Sequence, residues 1–560
     1  MIPRGSGRRV ALVTVVSGLV VVAATLLAYR SPAPAPGPAN PATSTLTLAL
    51  PGPFNGCSAL SPRATATTTA ILDLVRPSAF LTQPTDVLEG EGGAIVSAEL
   101  TSLHPETVVY SVSPTMSWSD GHHFGVGDLI DGWRRARRLA SISGDGYRAI
   151  SSMTIGKDRR TLTAKFGSDF ADWNLLFRDV EESGPTHPCG IVQLSRQPSL
   201  GPYRVQSATT TRIVLTSNPE WITNFSRFHT VVITSSTKLP RNGAAYFVKY
   251  APVATQALIA DLVAHPHYLG QLSNSSDIIE MTFSPHSALT SNRLVRTALS
   301  WLIDRRNIVS RLFGSLTFSP SIPTSALFSQ GQYSYPPPLK GIVPSARDAP
   351  VVDPSRDCRA CALQILRNVG YRRSPLGWRD AAGDTLRVKV AEGPTILDHV
   401  TTQMIEKQWK SLGISVKVTP VPSDAVAATV DSTGAVDAAI FERPTSTTPW
   451  TSARSWDLAP YFDSYPSGSL STVIHKLFLQ AQGSFNPATA DLIWLKIDHE
   501  ILKDFWVRPL YTVPSLTEWS NRVANVVPSL SLAGLVDQVT NWGIAPLTTT
   551  TTTRSSSSAR

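Results

Sequence analysis

The sequence predicts an α/β protein built as two or three packed lobes, and three observations carry that expectation. Residues Thr401–Leu412 form an amphipathic helical repeat that stops at Gly413, a natural C-cap, and the strand Ile414, Val416, Val418 follows at once. Apolar residues alternate strictly at Leu46, Leu48, Leu50 and again at Leu386, Val388, Val390, the period of half-buried strands. The chain has 560 residues, 42% hydrophobic and 16% charged, with a mean hydropathy near zero. That length exceeds what one core serves, and that composition excludes a disordered chain.

The elements follow in chain order. Arg4, Arg8 and Arg9 precede an uncharged, mostly apolar run from Val10 to Ala28, closed by Arg30. Such a run is about 28 Å long as a helix, close to the thickness of a bilayer's hydrocarbon core. Residues 1–30 are therefore expected to be a transmembrane anchor or a signal peptide, with the N-terminus inside and the body exported. Residues 31–44 are a proline-rich, semi-rigid linker. The threonine and serine repeats of residues 546–560 cannot bury a core and are expected to be disordered. Between these ends, 45–545 reads as one globular unit.

Charge is concentrated in the ends. The formal net charge is +9, but Arg4, Arg8, Arg9, Arg30, Arg554 and Arg560 lie in segments without acids. Without them the body carries about +3, too little for a nucleic-acid footprint, so no nucleic-acid partner is expected.

Within the body, Val108, Tyr110 and Val112 alternate as a strand that runs into Trp118-Ser119-Asp120-Gly121, a turn, and Asp128 then opens a helical repeat with Leu129, Ile130 and Trp133. Asn292 to Ile308 reads as one helix, with Val295, Ala298, Leu299 and Leu302 on one face. The strand from Val436 to Phe441 precedes a polar stretch, Glu442 to Trp450.

These segments resemble, in the right order, bacterial extracytoplasmic solute-binding proteins of the peptide-binding (dipeptide/oligopeptide/nickel) family, family 5. The resemblance is carried by the Trp-Ser-Asp-Gly turn, by Val295-Arg296-Thr297-Ala298-Leu299 ending in Ile303-Asp304-Arg305, and by Ala362 to Tyr371. Met404 to Val418 and Pro509-Leu510-Tyr511 continue it. Val75 to Phe80 is similar to an actinobacterial branch of envelope-associated members. One departure is Gly125-Val126-Gly127-Asp128, where the family has a threonine cap. The resemblance implies a two-lobed clamshell of the periplasmic-binding-protein class II type, with an additional third domain. It places domain I in 45–80, 199–276 and 516–545, the extra domain in 81–198, and the second lobe in 277–515. Trp118, Asp120, Asp304 and Arg305 then identify the fold as turn and cap residues rather than as ligand contacts.

The resemblance also implies a ligand segment after the strand ending at Phe441. Phe441, Glu442, Arg443, Ser446 and Trp450 are the candidate ligand-binding residues. The family's ammonium-pairing aspartate falls near Ser446, which has no charge. Either Glu442 substitutes for it, or the ligand lacks an ordinary free N-terminus; a buried ammonium needs a carboxylate.

Four cysteines in an exported chain suggest disulfides, and Cys358–Cys361 with Cys57–Cys189 is the favoured of three connectivities. No Walker loop, H-E-x-x-H or G-x-S-x-G occurs. His122-His123 and His265-Pro266-His267 lack a complete metal-ligand pattern, so no cofactor, metal or catalysis is expected. The implied function is a monomeric extracytoplasmic protein, membrane-anchored or secreted to the cell envelope, that captures a solute, peptide or peptide-like. It would deliver that solute to the permease and ATPase subunits of an ABC importer. The alternative is a non-transporting clamshell that regulates or scaffolds cell-envelope lipoglycan biosynthesis.

Overall fold

The computed structural model describes residues 44–545 apart from 60–64, 86, 140–141, 185–189, 222–225, 236–237, 241–244, 329, 332–356, 423–424, 433, 445–447, 458–468 and 504. The expected N-terminal segment (1–30), nearly all of the linker (31–44) and the tail (546–560) thus lie outside the described residues. Among the described residues no helix is long and apolar enough to cross a membrane.

The chain begins in the first lobe with β1 (Thr45–Ala49) and moves into a separate sheet formed by β2 (Ile95–Leu103), β3 (Glu106–Val112), β4 (Ile150–Ile155) and β5 (Thr161–Phe166). That sheet is antiparallel in the order β2-β3-β5-β4, and α1 (Val126–Ala136) lies between its second and third strands in sequence. Its inner face buries Val108, Tyr110, Leu162 and Ala164, as the alternation predicts. The chain returns to the first lobe through β6 (Tyr203–Ala208), β7 (Arg212–Ser217), β8 (Thr230–Thr234) and β9 (Tyr246–Ala251).

A long strand, β10 (Tyr268–Phe283), then runs out of the first lobe into the second. There follow α2 (Arg293–Trp301), α3 (Arg305–Phe313), α4 (Arg359–Asn368), β11 (Arg387–Glu392), α5 (Ile396–Ser411), β12 (Ser415–Pro420) and β13 (Ala438–Pro444). Three helices close the second lobe: α6 (Pro449–Asp457), α7 (Ser469–Gln482) and α8 (Pro487–Lys503). A second long strand, β14 (Val507–Ser520), crosses back.

These two crossing strands join the lobes into one ten-stranded sheet, ordered β12-β11-β13-β10-β14-β9-β1-β8-β7-β6. Tyr268–Asn274 of β10 pairs with Pro514–Ser520 of β14, beside β9; Ile278–Thr282 pairs with Val507–Thr512, beside β13. Between Asn274 and Ile278 the register shifts. The Ser275 hydroxyl there donates to the Val513 carbonyl (2.9 Å), so the ladder is interrupted where the sheet passes from one lobe to the other. A few such element-internal residues are the usual hinge of a clamshell.

Local signals set the element ends. The Asn292-to-Ile308 segment is two helices rather than one, because the Asp304 carboxylate accepts the Asn307 amide (2.9 Å) and starts α3 afresh. Arg305, next to it, reaches the Pro509 carbonyl on β14 (3.1 Å) and the Asp357 carboxylate (3.0 Å). Helix α5 starts before Thr401: Thr395 caps it at the Asp398 amide, and the Asp398 carboxylate accepts from the Thr395 amide in return. It ends at Gly413, whose φ of +85° suits only glycine; a Cβ on the facing Gly377 would lie 2.5 Å from the Gly413 carbonyl. At the glycine-rich start of α1, Asp128 accepts the Gly125 amide (2.9 Å) and the Ser183 amide (2.7 Å), which preserves half of the capping box. Trp118 is buried against Phe124, with ring centroids 5.9 Å apart.

Cys358 caps α4 and is bonded to Cys361. Cys57 is disulfide-bonded too, while Cys189 lies outside the described residues.

Candidate functional site

The six segments that meet between the extra domain and the second lobe come from distant parts of the chain. From the extra domain, Ala171–Asn174 follows β5 and Leu100 lies on β2; Thr85 and Val87 precede them. From the second lobe come Phe328, Thr448 and Pro449 at the start of α6, and Ala481 through Trp494 at the junction of α7 and α8. Together they line a half-open cavity of about 460 Å³. That volume falls in the range of small-molecule sites, roughly 300–1,000 Å³. Trp173, Phe328, Phe485 and Trp494 supply aromatic surface, and Asp172 and Asp491 supply charge.

The lobes touch beside this cavity. Phe170 meets Trp450 edge to face, and Trp450 packs in turn on Phe478. Gln482 binds both sides: its Oε1 accepts from Trp450 Nε1 (3.1 Å), its Nε2 donates to the Asp169 carbonyl (3.2 Å), and its own carbonyl accepts from the Ala171 amide (2.7 Å). Arg454 pairs with Asp145 across the same seam. The apolar core of the extra domain is thereby continuous with that of the second lobe.

Linked to the cavity through α8 and the segment of Phe328 is a group of withdrawn acids. Arg443 Nε contacts the Glu280 carboxylate at 2.9 Å, a diagonal cross-strand pair between β13 and β10, and Arg443 also donates to the Ala326 carbonyl (2.7 Å). Asp498 accepts the Ala326 amide (2.7 Å), which joins α8 to the segment that carries Phe328 into the cavity. Burial raises the carboxyls of Asp277 and Asp498 to about 6 each, against the pull of Arg443. Burial, and then the charges of Asp277 and Asp398, raise Glu442 to about 7. Tyr511 of β14 shares a 2.6 Å hydrogen bond with Thr401 of α5, and burial raises its phenol as well.

The five candidate residues therefore separate. Phe441, Glu442 and Arg443 are on β13, which extends to Pro444; the charges expected after the strand are strand residues, half-buried and facing other acids. Ser446 lies outside the described residues. Trp450 is 3% exposed and serves the seam between lobes rather than the cavity wall. The cavity residues Asp172, Trp173, Asp491 and Trp494 were not among the expected ones. Their one sequence signal is weak: acids and aromatics interleave in Asp169-Phe170-Ala171-Asp172-Trp173.

Away from the cleft, His122 Nδ1 lies 3.0 Å from Asp120 and 2.7 Å from Glu182 at the surface. Hydrogen bonding to Glu182 first, and then the charge of Asp120, raise the imidazole pKa, so a protonated ring satisfies both acids. Those three ligand atoms lie within 4.8 Å of one another, close enough to hold a metal ion as well.

Residues 106–468 match the family model of bacterial extracellular solute-binding proteins, family 5 (middle region). The oligopeptide-binding protein OppA of Mycobacterium tuberculosis (strain H37Rv) is 29% identical over 167 residues, 27% of this chain and 28% of that protein. In the same organism, the probable monoacyl phosphatidylinositol tetramannoside-binding protein LpqW is 29% identical over 118 residues, 20% of this chain and 19% of that protein. The matched stretches thus span under a third of these curated relatives. Among solved structures, the periplasmic EDTA-binding protein EppA superposes with a TM-score of 0.74 at 20% identity, covering 90% of this chain and 97% of that one. The oligopeptide-binding protein AppA of Bacillus subtilis, in complex with a nonapeptide, superposes with a TM-score of 0.66 at 14% identity, covering 90% and 99%. At these identities the superpositions speak for the fold, a two-lobed clamshell with an extra domain. Because the family model spans more than half of its length, the chain belongs to the bacterial extracellular solute-binding proteins of family 5.

Proposed function

We propose that this chain is the extracytoplasmic binding component of an ABC importer, which captures a small solute, peptide or peptide-like, and presents it to permease and ATPase subunits. The observation that carries this reading is the cavity of about 460 Å³ closed by residues of the extra domain and the second lobe. Its lining comes from both the extra domain and the second lobe, so a ligand that touches both favours the arrangement in which they are together. Transport energy belongs to the partner subunits, and no bond is made or broken in this chain. The oligopeptide-binding relatives support a peptide-like ligand. The arginine-flanked apolar segment at the N-terminus supports export, with that segment kept as an anchor or cleaved.

The 118-residue likeness to LpqW favours a second reading, a non-transporting clamshell in cell-envelope lipoglycan biosynthesis. The cavity speaks against a phosphate-bearing headgroup there, since its described lining holds two carboxylates and no Lys, Arg or His. Native mass spectrometry of gently purified protein, with small-angle scattering before and after ligand removal, tests both. The importer reading expects a released small solute and an expansion once it is gone. A released phosphoglycolipid favours the second reading. Protein that carries nothing and keeps one radius with every peptide pool sinks the first.

A further inference from the structure

The cavity between the extra domain and the second lobe is acidic. Asp172 enters it from the extra domain and Asp491 from α8 of the second lobe. Neither carboxylate has an ion pair or a side-chain hydrogen bond among the described residues, and no Lys, Arg or His lines the cavity with them. Several withdrawn acids elsewhere in this chain are matched by a cation: Glu280 by Arg443, Asp73 by Arg178, Asp145 by Arg454. The remaining surface is largely aromatic, with Trp173, Trp494, Phe485 and Phe328. An unpaired carboxylate withdrawn from water is destabilising, and aromatic faces attract cations.

We propose that the ligand of this cavity is a cation: an ammonium or guanidinium group on an apolar body, its charge held between Asp172 and Asp491 and its body against the tryptophan and phenylalanine walls. This inference rests on the solute-binding reading and names the chemical class of that solute. Burial alone raises the carboxyl of Asp172, to about 7, and it raises that of Asp491 as well; an incoming cation supplies the charge whose absence leaves them there. Because one acid stands on the extra domain and the other on the second lobe, the cation is also a bridge between them. Closing the clamshell brings the second carboxylate to it, and opening leaves it with one.

The test uses the full chain and three probes of one shape: phenethylammonium, neutral 2-phenylethanol and anionic 3-phenylpropionate. Binding is followed by calorimetry and by the fluorescence of the cavity tryptophans. The expected result is that phenethylammonium binds about tenfold more tightly than 2-phenylethanol, with 3-phenylpropionate weakest. D172N and D491N should each reduce that preference, and the double variant should abolish it while 2-phenylethanol still binds. The wild-type comparison stands even if a variant fails to fold. Equal binding of cation and neutral probe, or a preference that survives the double variant, overturns the inference and leaves the cavity as a ligand site. No response to phenethylammonium at millimolar concentration also overturns it. Failure of all three probes together with protein that purifies empty removes the solute-binding reading beneath it.

Discussion

Phe170 of the extra domain and Trp450 of the second lobe meet with ring centroids 5.0 Å apart and planes at 84°, an edge-to-face contact that holds the two halves together. The geometry is the favourable one for aromatic pairs, worth about 0.5–1.5 kcal/mol beyond the area buried. Gln482 reinforces it by binding Trp450 and Asp169 with the two ends of one amide. The two rings follow and precede lining residues of the cavity, Pro449 and Ala171, so the contact couples packing to ligand retention.

Truncating this seam should open the clamshell before it unfolds the chain. Trp450→Ala removes a nearly buried indole and should destabilise by about 3–5 kcal/mol in denaturant. Gln482→Ala removes only the bridge and should lower stability by about 1–2 kcal/mol, while raising the scattering radius of the free protein. An unchanged radius in both variants would show that the seam does not govern closure.

Arg443 and Glu280 make the second testable pair. Glu280 has no exposure at all, and Arg443 is its described counter-charge at 2.9 Å. Arg443→Met should destabilise by about 3–5 kcal/mol at neutral pH, because it strands a buried charge. Glu280 is already raised above the usual carboxylate range by burial, so the variant should recover part of the loss in mild acid by taking up a proton. Adding Glu280→Gln should recover most of it. Urea unfolding of the three proteins at two pH values measures this.

The strands around Leu46–Leu50, Val108–Val112, Leu386–Val390 and Ile414–Val418 were legible because their alternation is local, and so was the turn at Gly413 that begins the strand after α5. The break between α2 and α3 was not, since apolar spacing continues through it and only the Asp304 cap interrupts. Glu442 and Arg443 read as loop charges because nothing near them in sequence is acidic in the right place; Glu280 lies 163 residues away. The cavity was illegible for the same reason. Asp172 and Asp491 come from a loop and a helix that tertiary packing across the seam brings together, and no periodicity records that meeting.

Disulfide mapping tests a proposal about the first lobe. Cys57 is disulfide-bonded, its sulfur accepting a hydrogen bond from Gln197 Nε2 at 3.0 Å. We propose Cys189 as its partner. Unreduced digestion should release one peptide pair that holds Cys57 and Cys189 and another species with Cys358 and Cys361 together. Loss of so long a loop closure should lower stability by about 4 kcal/mol on reduction. A Cys57 thiol that alkylates in native protein rules the pairing out.

The pH dependence of stability should run opposite to the common one, and Glu106 is the reason. Its side chain is 1% exposed and accepts the Phe170 amide (2.5 Å), directly behind the seam between lobes. Burial raises its carboxyl to about 8; the Phe170 amide opposes this, and the charges of Asp169 and Asp172 add to the rise. Glu91, half-buried, is raised to about 8 likewise, by desolvation first and then the charge of Asp73, against the Ser78 amide and Arg178. Both folded values lie above the unfolded one near 4.5, so between those limits the folded chain binds more protons than the unfolded chain. Their contribution is fully present below about 4.5 and is lost as pH rises through about 8, with a slope of at most about 1.4 kcal/mol per pH unit per group. Unfolding free energy should therefore fall as pH rises from 5 to 9. Glu106→Gln should flatten that fall by one group's share and leave the variant the more stable protein at high pH, and Glu91→Gln with it should flatten it further. Ionised Glu106 also stands near Asp172, so the wild type should lose its closed radius at high pH while the variant keeps it. A fall of the same slope in the variants would show that these two acids titrate as ordinary surface groups.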